Sequence, residues 1–184
     1  MFDPKDVREA LLDGVIAYPT EAVFGLGCDP TNDEAIAKIL DLKQRPVEKG
    51  LILIAADYSQ LLPFVDDQAI PQDKRFAVFS HWPGPVTLIL PARPSVSHLL
   101  TGGRDSIAVR VTAFEPVREL CRKLGTPLVS TSANPAGEEP ARTAQEVRDY
   151  FGDQLSWIMD EPTGGALSPS TIIDPLTKKV FRTS

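Results

Sequence analysis

Short, densely apolar runs bounded by proline, glycine and small polar residues recur along the chain and constrain its fold more than any other feature. Val15 to Tyr18, Leu51 to Ala55, Val86 to Leu90, Ile107 to Val111 and the pair Leu128-Val129 are too short for buried helices and are rich in β-branched residues. Each therefore reads as a strand. Helical spacing fills the gaps. Val7, Ala10 and Leu11 share a face within Pro4 to Asp13; Ile36, Ile39 and Leu40 follow Thr31-x-x-Glu34, read as a capping box; Phe114 to Leu124 is amphipathic; and Thr143-x-x-Glu146 opens a helix to Phe151. Shorter helices are expected over Asp57 to Val65 and Gln72 to Phe79, and short strands at Trp157 to Met159, Thr171 to Ile173 and Val180-Phe181. Thr20 to Gly27 and Ser95 to Arg104 read as loops, and His81-Trp82-Pro83-Gly84-Pro85 as a shaped turn.

The length suits one domain over residues 1–184, with no repeat, linker or low-complexity tract. No apolar run approaches the roughly 20 residues of a membrane-spanning helix, and the N-terminus lacks a secretory pattern. A soluble, cytoplasmic protein without membrane contact is expected. With 25 acidic against 19 basic residues, a polyanion is repelled by the chain as a whole, so any nucleotide or RNA contact must be local. Cys28, Cys121, His81 and His98 have no metal-ligand spacing. No protein-held metal is expected, and both thiols read as small core residues.

Three stretches carry candidate chemistry. Lys43, Arg45 and Lys49 lie at the mouth of the strand beginning at Leu51, where they make either an anion site or an ordinary solvated loop. Lys43 at a helix end has a dipole-compensating use as well. Arg110 falls inside an apolar run, and an arginine there needs either solvent or an anion, whether a structural carboxylate or a substrate's. Ser130-Thr131-Ser132-Ala133-Asn134 follows a strand, where hydroxyls serve either a phosphate or ribose or simple turn chemistry. Gly25-x-Gly27 lacks the third glycine of a dinucleotide fingerprint, and His81 has no partner in sequence.

Tyr18-Pro19-Thr20-Glu21 with Phe24-Gly25-Leu26-Gly27, Lys43-Gln44-Arg45-Pro46, Trp82 to Thr87, Ile107-Ala108-Val109-Arg110 and Ser130 to Asn134, in that order, resemble the YrdC-like family of threonylcarbamoyl-AMP synthases. The resemblance covers nearly the whole chain. It implies an α/β (α+β) fold, a twisted sheet of mixed and antiparallel strands flanked by helices with a concave electropositive cavity. It also implies a nucleotidyltransferase that joins L-threonine, bicarbonate and ATP, with Mg²⁺ carried by the nucleotide phosphates. The product would pass to a separate transferase complex that modifies tRNA beside the anticodon, with at most weak, salt-dependent RNA contact by this chain.

Carried over by position, the resemblance gives Lys43 and Arg45 to the chemistry, with Lys43 shaping or charging the rim. It gives Arg45, Lys49, Ser106, Ser130, Ser132, Asn134 and Arg182 to ATP, Asn134 either bonding the ligand or fixing its loop. Thr20, Arg110 and Ser170 go to threonine. Many longer members carry a threonine-binding histidine where this chain has Ile54, so that contact is absent here or supplied otherwise. Two other readings stand beside this one: a carbamoyl-adenylating domain like that of hydrogenase maturation, and an RNA-binding or ribosome-maturation factor.

Overall fold

The structure is a computed structural model that describes residues 2–182. Its strands are β1 (Ile16–Pro19), β2 (Phe24–Gly27), β3 (Ile52–Ala55), β4 (Val86–Pro91), β5 (Ser106–Val111), β6 (Leu128–Ser132), β7 (Trp157–Ile158), β8 (Thr171–Asp174) and β9 (Lys179–Arg182). They join into one sheet in the order β7-β1-β2-β6-β3-β5-β4-β8-β9. The β1–β7, β3–β5 and β4–β8 pairs are parallel and the remainder antiparallel. The helices are α1 (Pro4–Asp13), α2 (Asp33–Lys43), α3 (Arg75–Phe79), α4 (His98–Thr101), α5 (Glu115–Leu124) and α6 (Ala144–Phe151).

Side chains alternate across a strand, so each strand serves two faces. Leu53, Ile107, Val109, Val129, Phe24 and Leu26 point to one face and are buried under Ile36 and Ile39 of α2 and Val147 and Phe151 of α6. On the other face, Ile16, Tyr18, Ile54 and Leu128 are buried under Val7 and Leu11 of α1 and Val117 and Leu120 of α5. That second cover is incomplete. One step along the same strands, the register sets Ile52 opposite both Ser130 and Ala108, beyond the reach of α1 and α5. The uncovered part of the face becomes the floor of a cavity.

Several local readings are corrected. Phe24 to Gly27 is a strand, paired to β1 and β6, because Phe24 and Leu26 fill the core while the glycines face Tyr18. A Cβ at Gly27 would stand 2.4 Å from the Val129 carbonyl oxygen and 2.6 Å from the Tyr18 ring. Only glycine lets that ring cross β2 so that its hydroxyl reaches the Val129 carbonyl at 2.7 Å. The box at Thr31 does not form. Asn32 caps α2, accepting from the Ala35 N–H, while the Thr31 hydroxyl donates to Asp29. The stretch read as a loop over Ser95 to Arg104 contains α4, capped by Ser97. The helices expected at Asp57 to Val65 and Gln72 to Phe79 break into 3₁₀ turns, with α3 the one α-helical piece. β6 runs on through the hydroxyl cluster as far as Ser132.

Candidate active site

The cavity, about 470 Å³, opens over β3, β5 and β6 and is walled by the 20–25, 45–52, 100–106 and 166–174 stretches. Alternation along β5 and β6 aims Ser106, Ala108 and Arg110, and Ser130 and Ser132, at its floor. Five cationic side chains line it, namely Arg45, Lys49, Arg104, Arg110 and Arg182, against two carboxylates, Glu21 and Asp174. In a chain of net charge −6, this concentrates positive charge where the rest of the surface carries the opposite sign.

The Arg45 position follows from how α2 ends. Gln44 takes a left-handed conformation (φ 49°), and the Arg45 N–H closes back on the Leu40 carbonyl at 2.9 Å. The guanidinium Nε then donates to the Gly50 carbonyl at 3.1 Å. Burial lowers the Arg45 pKa, so an anion that desolvates it further must pair with it well. Val47–Lys49 is a 3₁₀ turn that sets Lys49 at the mouth, before Gly50 turns the chain with φ 68° into the approach to β3.

Arg110 is 7% exposed, and Nη1 donates to Glu21 Oε2, which also accepts from the Thr112 hydroxyl at 3.2 Å. An internal carboxylate, one of the partners its sequence position left open, is thus supplied by Glu21. Arg110 nevertheless lines the cavity, and Glu21 Oε1 is buried without a hydrogen-bond donor among the described residues. Thr20 closes the adjacent turn, its hydroxyl donating to the Val23 carbonyl at 2.7 Å. Across the cavity, Arg182 donates through Nε to the Ser170 carbonyl at 2.9 Å and through Nη2 to the Ser170 hydroxyl at 3.1 Å. Ser170 in turn shares a 2.8 Å hydrogen bond with Thr87. The pKa of Arg182 is lowered by burial first, then by Arg110 and Arg45.

Thr20, Arg45, Lys49, Ser106, Arg110, Ser130, Ser132, Ser170 and Arg182 are thus brought together around one cavity. Lys43 and Asn134 do not line it. Lys43, 5% exposed, lies behind Ser132, its Nζ donating to the Ser132 carbonyl at 2.6 Å and the Asn134 carbonyl at 3.1 Å. Asn134 Oδ1 accepts from the Ser132 hydroxyl at 2.6 Å, which orients that serine from behind. Burial, then Arg45 and Lys49, push the Lys43 pKa down to about 8. Ile54, beside Arg110 in register, is fully buried with Tyr18 and Leu128 and is no part of the wall. His81 is also absent from the lining.

Glu21, Arg104 and Ser168 join the lining without having been singled out, as does Thr131 from within the hydroxyl cluster. Glu21 stood beside Thr20 in a quoted motif. Arg104 ended a segment read as loop, and nothing in its sequence neighbourhood pointed inward.

The family model Sua5_yciO_yrdC, described as telomere recombination, matches residues 10–184. A protein of Idiomarina loihiensis named threonylcarbamoyl-AMP synthase is 73% identical over 175 residues, 95% of this chain and 94% of its own length. One of the same name from Klebsiella pneumoniae is 56% identical over 91% of this chain and 88% of its own. Among solved structures, P. abyssi Sua5 complexed with L-threonine superposes with a TM-score of 0.83 at 31% identity, covering 95% of this chain. The chain spans about half of that protein, 52% of its length.

Proposed function

The chain belongs to the Sua5/YciO/YrdC family, and from that premise we propose that its single domain joins L-threonine, bicarbonate and ATP into threonylcarbamoyl-AMP with release of pyrophosphate. The observation that carries this reading is the cavity itself, which five cations and strand-borne serine hydroxyls line together. Nearly full-length relatives that bear the synthase name support it.

The chemistry suits such a site. A threonine ammonium and bicarbonate give a carbamate, one water and one proton. A carbamate oxygen then attacks the α-phosphorus, the bond to the β-phosphate oxygen breaks, and pyrophosphate leaves. Two anions must meet, so positive charge and fixed orientation matter more than a strong base. Arg45 and Lys49 take the phosphates, while Ser106, Ser130 and Ser132 fix the nucleotide from the floor. Arg110, Thr20 and Ser170 hold threonine, with Arg110 facing its carboxylate or the carbamate. Arg182 closes the nucleotide side. Lys43 and Asn134 act from behind the wall by holding Ser132.

Among the described residues, no group of three or more His, Cys, Asp or Glu side chains is placed to hold a metal ion. Both cavity carboxylates are engaged, Glu21 with Arg110 and Asp174 with the Leu176 N–H at 2.9 Å. This donor set fits a Mg²⁺ ion that arrives on the triphosphate, where it would share the phosphate charge. No helix among the described residues is long and apolar enough to cross a membrane. The reading puts the reaction in the cytoplasm, where the unstable adenylate is handed to a transferase complex acting on tRNA.

Incubating the protein with ATP, bicarbonate and labelled threonine separates the readings. Threonine-dependent pyrophosphate release with a labelled adenylate supports the synthase. Release that requires carbamoyl phosphate supports a carbamoyl-adenylating enzyme, and no release favours an RNA-binding factor.

A further inference from the structure

Half of the cations in and behind the cavity wall are already committed. Arg110 is paired with Glu21, Arg182 is tethered to Ser170, and Lys43 is spent on two carbonyls behind the wall. Arg45, Lys49 and Arg104 remain, none with a carboxylate within salt-bridge distance among the described residues. All three gather around Gly50. Arg45 binds the Gly50 carbonyl, Lys49 precedes it, and a Cβ on Gly50 would lie 3.4 Å from Arg104 Nη1. The turn after α4 is folded tightly over the same residue. The Leu51 N–H donates to the Leu100 carbonyl at 2.9 Å, and a Cβ on Gly102 would meet the Glu48 carbonyl oxygen at 2.5 Å and Arg104 Nη1 at 2.9 Å. Arg104 Nη1 therefore lies beside the meeting of two loops that glycine alone allows to approach. Its single side-chain hydrogen bond among the described residues is from Nη1 to the Thr101 carbonyl at 3.2 Å, which leaves most of its planar donor fork unused there.

We propose that Arg104 is a triphosphate-binding residue of this cavity that takes the outer phosphates and so selects ATP over shorter nucleotides. Arg45 is half-buried, whereas Lys49 and Arg104 are exposed at the mouth. Outer phosphates, which must leave as pyrophosphate, belong at that mouth. A guanidinium held at one nitrogen presents its other donors to two phosphate oxygens at little ordering cost. The assignment rests on the synthase reading, which makes pyrophosphate the leaving group.

The test compares ATP and AMP binding to the full chain, by calorimetry, in the wild type, Arg104→Ala and Arg104→Lys. Losing a charge-assisted pair should weaken ATP and inhibition by pyrophosphate roughly tenfold in the alanine variant. AMP affinity and the KM for threonine should stay unchanged, and lysine should restore part of the loss. Equal weakening of ATP and AMP would reduce Arg104 to a brace for the Thr101 turn, and unchanged ATP affinity would also overturn the proposal. Should the wild type release no threonine-dependent pyrophosphate, the synthase reading fails separately, while the ATP-to-AMP comparison still decides whether Arg104 binds outer phosphates.

Discussion

Lys43 Nζ, in the last turn of α2, donates to the main-chain carbonyls of both Ser132, at 2.6 Å, and Asn134, at 3.1 Å. One buried cation thereby locks the end of β6 onto the helix that delivers Arg45. Replacing it with methionine keeps the apolar stem, takes the Nζ donor from the Asn134 carbonyl and leaves the Ser132 carbonyl with the Asn134 N–H at 3.1 Å. Lys43→Met should lose about 2 kcal/mol of stability, read as a shifted urea midpoint, and should weaken ATP by loosening Ser132. An unchanged midpoint would mean that the clamp does not form.

The same lysine gives the site a pH signature. Its folded pKa, about 8, lies below the ordinary lysine value, because burial and the potential of Arg45 and Lys49 disfavour its charge. Phosphates on Arg45 and Lys49 cancel that potential, so binding must raise the Lys43 pKa. The linked affinity is present below pH 8 and declines as pH rises through and above it. Calorimetry at pH 8.5 in buffers of different ionisation heat should register proton uptake on ATP binding, diminished in Lys43→Met. Proton release would have the wrong sign.

Glu21 and Arg110 form a pair whose partners are 22% and 9% exposed at their side chains. Breaking such a pair strands a poorly hydrated charge. Glu21→Gln and Arg110→Met should each cost about 1–3 kcal/mol, with a coupling near 1 kcal/mol in the double-mutant cycle. Only Arg110→Met should also raise the KM for threonine severalfold. Additive effects on stability would show that the pair contributes nothing of its own.

Gly27→Ala tests the backbone under Tyr18. Its Cβ would clash with the Val129 carbonyl oxygen at 2.4 Å, an atom fixed between strands. The expected loss is about 3 kcal/mol, against about 1 kcal/mol for Gly103→Ser, where nothing lies within 4 Å of the Cβ position and only the positive φ opposes a side chain.

Gly27 also explains what the sequence could and could not reveal. Glycines at alternate positions disguised β2 as a loop, because their role is to make room for Tyr18, a residue of another strand. The apolar runs of β3, β4 and β5 could be read directly, since their burial follows from their own composition. Arg110 could be flagged because an arginine in an apolar run breaks a local rule, yet its partner Glu21 is a long-range contact that no spacing encodes. The cluster from Ser130 to Asn134 was open to ligand or turn chemistry, and it divides: Ser130 and Ser132 face the cavity, while Asn134 braces from behind. Arg104 escaped notice because its placement depends on α4 folding over Gly50, a meeting of two loops far apart in the chain.

In the proposed function, the cations around Gly50 drive adenylyl transfer from ATP in a threonine-dependent way. Pyrophosphate release with and without threonine, measured for the wild type and Arg45→Ala at matched folded fraction, tests it most directly. Threonine-dependent release by the wild type is expected, with a loss of at least a hundredfold in the variant, on the order of 3 kcal/mol of transition-state stabilisation. Near-normal release by Arg45→Ala, or release from the wild type that ignores threonine, would contradict it.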